Sequence, residues 1–179
     1  YKPQNFYILL FMYWINNKKG VFMFKYLFFS ILLLPNICIT GEGETKITRM
    51  TDMDYEECIN KIYFKQDILY KEIGTVVLKR EKDLLQIQNK NAIGTSTFVA
   101  KETRKINEEE GIFQVEMIRP LTGNLKDQST TIIVKNIKGK AEITIEMKAA
   151  LDSVFASKSR IETELEKNIE KVIKRLEKM

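Results

Sequence analysis

The sequence predicts an α+β fold in which a curved antiparallel sheet of about seven strands carries one long C-terminal helix packed on it. Three features of the chain's second half carry that expectation. The first is alternation. Phe113, Val115 and Met117 share a face against Gln114 and Glu116, and Ile143, Ile145 and Met147 share one against Glu142, Thr144, Glu146 and Lys148. Leu85 and Ile87 oppose Gln86 and Gln88 in the same way. A period of two with one dry face fits an antiparallel sheet covered on a single side. The second feature is the regular recurrence of turn residues between these runs. The third is the helical rhythm of Ile161, Leu165, Ile169, Val172, Ile173 and Leu176, with Glu and Lys filling the opposite side.

The elements follow in order. Glu44 to Met50 alternates around Ile47 and reads as a first strand. Thr51-Asp52-Met53-Asp54 then offers a helix N-cap, with acids placed where the helix dipole favours them. Tyr55, Cys58, Ile59, Ile62 and Tyr63 sit at helical spacing, so a first short helix should end near Phe64. A second short helix is expected from Asp67 to Ile73, stopping at Gly74.

Strands are expected over Thr75 to Arg80, Leu84 to Asn89, Thr95 to Ile106 and Ile112 to Arg119. The Asn107–Gly111 segment, with its acids Glu108, Glu109 and Glu110, reads as a solvated hairpin connection rather than a cation site. Pro120 to Gln128 reads as a looser loop. Ser129 to Ile137 and Ala141 to Ala149 form a last hairpin about Lys138-Gly139, and Ser153 is the expected cap of a closing helix that runs to about Lys178. The helical stripe covers only two or three heptads, which favours packing on the sheet over a coiled coil.

Ahead of this domain the chain has a different character. From Met23 it shows a basic Lys25, an apolar run Tyr26 to Leu34, a helix-breaking Pro35, and Thr40-Gly41. That is the order of a signal peptide, and the run is short for a span of about 20 residues. Residues 23–41 are therefore expected to be a cleaved leader, with cleavage between about Ile39 and Glu42; an uncleaved N-terminal anchor is the other reading. Residues 1–22 hold a second apolar run, Phe6 to Ile15, and read as upstream sequence or an extra hydrophobic segment. The protein is expected to be exported or tethered to a membrane by this region. Cys38 lacks the small preceding residue of a lipid-attachment site, since Pro35-Asn36-Ile37 comes before it.

Composition excludes several function classes. At 44% hydrophobic and 30% charged, the 179-residue chain can build a packed domain. Of 29 basic residues, Lys2, Lys18, Lys19 and Lys25 lie in the first forty positions beside no acid, which leaves 25 against 24 acidic residues elsewhere. That balance leaves no basic stripe for nucleic acid. The chain contains no histidine, so Ser-His-Asp and Cys-His chemistry within it is excluded. Two cysteines, Cys38 and Cys58, form neither a metal spacing nor a disulfide framework. No metal and no cofactor is expected. Gly139-Lys140 lacks the spacing of a phosphate loop. Cys58 reads as a buried structural thiol.

The order strand, one or two short helices, six strands, long helix resembles the START-like superfamily, also called SRPBCC. This superfamily includes lipid-transfer domains, plant pathogenesis-related allergens and polyketide cyclase/dehydrase-like proteins. The resemblance spans residues 44–179 and is carried by the early helix Asp54–Phe64, the hairpin at Lys138-Gly139 and the closing helix Ile161–Leu176. It is a match of element order; the Gly-rich loop of the plant allergens is not evident, since Gly74 and Gly94 stand alone. The resemblance implies a helix-grip fold with a cavity between the sheet and the last helix.

On that reading the dry-face residues Phe113, Val115, Met117, Ile132, Val134, Ile143, Ile145, Met147, Phe155, Leu165 and Ile169 are either core or cavity wall. The methionines suit an adaptable apolar pocket and ordinary gap filling alike. Arg119 beside Pro120 reads as a surface residue or as a ligand contact at the cavity mouth. The expected partner is a hydrophobic small molecule or lipid. A cyclase- or dehydratase-like enzyme using the same cavity, or a non-liganded interaction module, are the alternatives, and the first of these needs an inward acid or base.

Overall fold

The computed structural model describes residues 40–91, 94–153 and 156–179. The readings of residues 1–22 and of the leader up to residue 39 lie outside the described residues.

The chain runs β1 (Thr40–Asp54), α1 (Tyr55–Glu72), β2 (Thr75–Glu81), β3 (Leu84–Asn91), β4 (Gly94–Ile106), β5 (Glu110–Thr122), β6 (Leu125–Ile137), β7 (Lys140–Asp152) and α2 (Lys158–Lys178). Seven strands form one antiparallel sheet in the order β1-β7-β6-β5-β4-β3-β2. From β2 to β7 every connection is a hairpin between neighbours. Only α1 makes a long crossing, from β1 at one edge to β2 at the other, and β1 then pairs with β7. The fold is the α+β helix-grip arrangement.

Local chemistry explains the corners. Lys138 and Gly139 both take positive φ, 55° and 89°, as a tight two-residue hairpin requires. The carbonyl of Gly139 accepts the Tyr55 N–H at 2.9 Å, so the β6–β7 turn satisfies a free donor at the start of α1. Asn107 Oδ1 accepts the N–H groups of Glu109 and Glu110, each at 2.8 Å, and shapes the β4–β5 turn.

Three elements differ from the expectation. The first strand is longer in both directions than Glu44 to Met50, because β7 offers partners from Asp152 to Lys140. The two short helices are present, joined end to end at Lys65, whose φ of −117° and ψ of 20° break the helical geometry at the anticipated boundary. Pro120 does not open a loop. It lies in β5 opposite Phe98, between two register shifts that spare it a ladder donor. Ser153 does not cap the last helix; Ser157 does, with its Oγ accepting the Arg160 N–H at 3.4 Å. The alternation of β7 carries the strand on to Asp152, which delays the helix.

The dry face of the sheet turns toward both helices. One apolar cluster joins Phe113, Val134, Ile143, Ile145 and Met147 of the sheet to Cys58 and Ile62 of α1 and to Ile169, Val172, Ile173 and Leu176 of α2. A second joins Leu85, Ile87, Phe98, Ala100 and Met117 to Leu125, Leu151 and Ile161. Between them, beside the first half of α2, the packing is incomplete.

Candidate ligand cavity

The gap is a cavity of about 300 Å³ between the sheet and α2. Its sheet wall is Leu125 at the start of β6, Gln128 and Thr130 farther along β6, and Met147, Ala149 and Leu151 of β7. The register explains the selection: Thr130 pairs with Met147, Gln128 with Ala149, and Leu125 with Leu151. These are continuations of the dry face that Ile132 and Val134 begin. The opposite wall is Ala156 with Ile161 and Leu165 of α2. Ile73 and Gly74 after α1, and Asn89 and Lys90 at the end of β3, close one end.

α2 lies close against β1 at Gly43. A Cβ on Gly43 would lie 2.8 Å from Ile161 Cγ2 and 3.1 Å from Glu162 Cγ, so the bare backbone lets the helix lie close to the strand. Thr45 Oγ1 donates to the Glu162 carbonyl at 3.2 Å in the same contact. Farther along, Arg49 donates to Glu170 at 2.7 Å.

Of the eleven residues singled out by their dry-face positions, Met147 and Leu165 line this cavity. Phe113, Val134, Ile143, Ile145 and Ile169 are fully packed in the first cluster, with Ile132 against it. Met117 belongs to the second cluster and Val115 packs against that one. Phe155 lies outside the described residues. Alternation could also have pointed to Ala149, Leu151, Gln128 and Thr130, but two are polar and Ala149 is small, so none signals a wall by type. Arg119 is exposed on β5.

The rim is charged. Lys90, Arg160 and Lys171 contribute cations, and Glu164 is engaged by Lys167 at 2.8 Å. Hydrogen bonding from Lys167 holds the Glu164 carboxyl below its ordinary range. The Lys148 ammonium reaches Glu44 at 3.1 Å and Glu146 at 3.5 Å, on the far side of β7.

An inward acid exists, and it lies elsewhere. Glu102 of β4 is 8% exposed, and its Oε2 accepts from Arg80 at 2.5 Å and from Arg104 at 2.8 Å. Arg104 also donates to Gln66 Oε1 at 2.8 Å and sits over the Tyr63 ring at 4.7 Å. Gln66 Nε2 donates to Tyr70 Oη at 2.7 Å, and burial followed by the Glu102 charge pushes the Tyr70 phenol above its ordinary value. The second Glu102 oxygen and Arg104 Nε are buried without partners. This network ties α1 to β4, and none of its members is among the residues lining the cavity. Among the described residues no group of three acids or thiols could hold a metal ion. None of the described helices is long and apolar enough to cross a membrane.

The sheet order, the edge-to-edge α1 crossing and the gripped α2 define the START-like (SRPBCC) fold. Solved structures with this architecture align over most of the domain. A protein from Thermus thermophilus matches with a TM-score of 0.57 and 11% identity, covering 75% of this chain and 94% of its own. A START superfamily protein from Mycobacterium smegmatis gives 0.56 and 9%, covering 75% and 94%. The major latex-like protein 151 of Panax ginseng gives 0.53 and 10%, covering 76% and 95%. No family model matches the chain, and no curated protein matches it in sequence.

Proposed function

We propose that this domain binds a hydrophobic small molecule or lipid between its sheet and α2. The observation that carries this reading is the cavity of about 300 Å³, with Leu125, Met147, Ala149 and Leu151 on one side and Ile161 and Leu165 on the other. Its size falls at the lower end of ligand pockets, and an apolar wall with a few polar groups is the usual composition of such a site. The driving force is burial, on the order of 25 cal/mol for each Å² of apolar ligand surface removed from water. The START-like fold supports the reading, because its closing helix and curved sheet leave their space at this place. Turnover chemistry finds less support: Glu102, the buried acid, is held by two arginines and is not part of the cavity lining.

Titration of the full chain with the neutral solvatochromic dye prodan tests this. One saturable site, emptied by decanol, is expected; absence of saturable binding would overturn the reading.

Export or membrane tethering through residues 23–41 is part of the same proposal, from Lys25, the Tyr26–Leu34 run and Pro35. Thr40 and Gly41 pair with Asp152 and Leu151, so a mature chain beginning near Thr40 keeps β1 whole. N-terminal sequencing of protein recovered from the producing cells should find a start between Ile39 and Glu42. A chain that retains Tyr26–Leu34 would refute cleavage and leave the tether.

A further inference from the structure

We infer that the ligand is an amphipathic anion: a single apolar chain or ring system in the cavity, with a carboxylate, sulfate or phosphate at the rim. The inference rests on the ligand-binding reading above and deepens it.

The wall and the mouth of the cavity differ in chemistry. Leu125, Met147, Leu151, Ile161 and Leu165 supply apolar wall. At the rim, Lys90 approaches from the end of β3, and Arg160 and Lys171 from α2. No ion pair engages any of these three cations among the described residues. Glu164 is the one acid among the lining residues, and Lys167 already occupies it at 2.8 Å. The charges of Lys171 and Arg160 both help to hold the Glu164 carboxyl ionised, so the two cations flank Glu164 from either side, about three turns of α2 apart. Three unpaired cations facing one neutralised acid make the rim positive, whereas the domain as a whole is close to charge balance. A neutral ligand would leave this excess without use; an anionic head on an apolar body matches both the wall and the mouth.

Size narrows the class further. A volume of about 300 Å³ holds roughly ten water-sized groups at about 30 Å³ each, enough for one medium-length chain and too little for two. The anionic head belongs either to a free amphiphile or to a lipid drawn from a bilayer, and the chemistry at the rim is the same for both.

Isothermal titration of the full chain with decanoate, decanol and decyltrimethylammonium separates the terms. Exposed cations act modestly and are screened by salt. The expected preference for decanoate over decanol is about tenfold at low salt, equivalent to about 1.4 kcal/mol. It should shrink as salt is added, and the ammonium should bind weakest. In the triple variant Lys90→Gln, Arg160→Gln, Lys171→Gln, decanoate should fall to the level of decanol while decanol is unchanged; all three sites are exposed, so folding is preserved. Vesicles of phosphatidylcholine with and without phosphatidylglycerol supply the second source: loss of phosphatidylglycerol to the parent protein, abolished in the triple variant, supports the same head-group site with a bilayer lipid as its origin. Equal binding of decanoate and decanol, with no vesicle preference, would overturn the inference and leave a neutral-ligand cavity. Failure of all three amphiphiles and both vesicle types to bind would instead overturn the ligand-binding reading itself.

Discussion

Cys58 shows how burial alone sets the chemistry of a residue. Its side chain is fully enclosed between α1 and the sheet, and burial pushes the thiol up to about 12. Lys61 lowers it and does not prevail. At pH 8 the thiolate is then on the order of one part in ten thousand, so the Cys38→Ser chain should label with Ellman's reagent only on unfolding. Rapid native labelling would contradict the packing. The pH dependence has a definite sign. The folded pKa lies above the unfolded one, so the contribution is complete below about pH 9 and is lost as pH rises toward about 12. The alkaline stability loss should therefore be smaller in Cys58→Ala than in the parent. The helical spacing of Tyr55, Cys58, Ile59 and Ile62 already marked this thiol as inward. Glu102 and Arg104 were not apparent in the same way. Lys101 to Lys105 is polar at every position, yet the alternation that buries Phe98 and Ala100 also carries Glu102 and Arg104 to the inner face. Residue type concealed what the period contained, because only coordinates show the arginines and Gln66 that make a buried carboxylate tolerable.

Among elements, the β1–α2 contact decides whether the cavity has a wall. Gly43 permits it, because its missing side chain is the space Ile161 uses. Gly43→Val should overpack this contact and cost about 1–3 kcal/mol by chemical denaturation. Gly111→Ala makes a useful comparison, since the atom in its way is the terminal methyl of Ile59, which can rotate aside. Equal stability of Gly43→Val and the parent would show that α2 does not rest on β1. Element order and the faces of most strands were readable from alternation, and the α2 stripe from its 3.6-residue period. What the sequence concealed were the places where two local signals compete. Ser153 has the chemistry of a cap, yet ladder pairing continues through Asp152 and leaves the cap to Ser157. Pro120 signals a loop, yet adjacent bulges retain it in β5.

On the scale of the whole molecule, the division between solid core and open space depends on how two helices share one sheet. The C-terminal half of α2 and α1 together fill the space over Ile143 and Ile145. The first half of α2 lies over Met147, Ala149 and Leu151 and leaves the cavity there. Apolar periodicity marks both regions identically, so the sequence identified the face and not the gap within it. A small residue at a wall position shows whether this gap is a ligand site. Ala149→Phe adds a ring where the cavity provides space. Prodan affinity and unfolding free energy should be measured on the same variant: stability should stay within about 0.5 kcal/mol of the parent and prodan should bind at least tenfold more weakly. A loss of about 1–3 kcal/mol, in a protein whose parent form binds no prodan, would show a solid core and contradict a ligand site there.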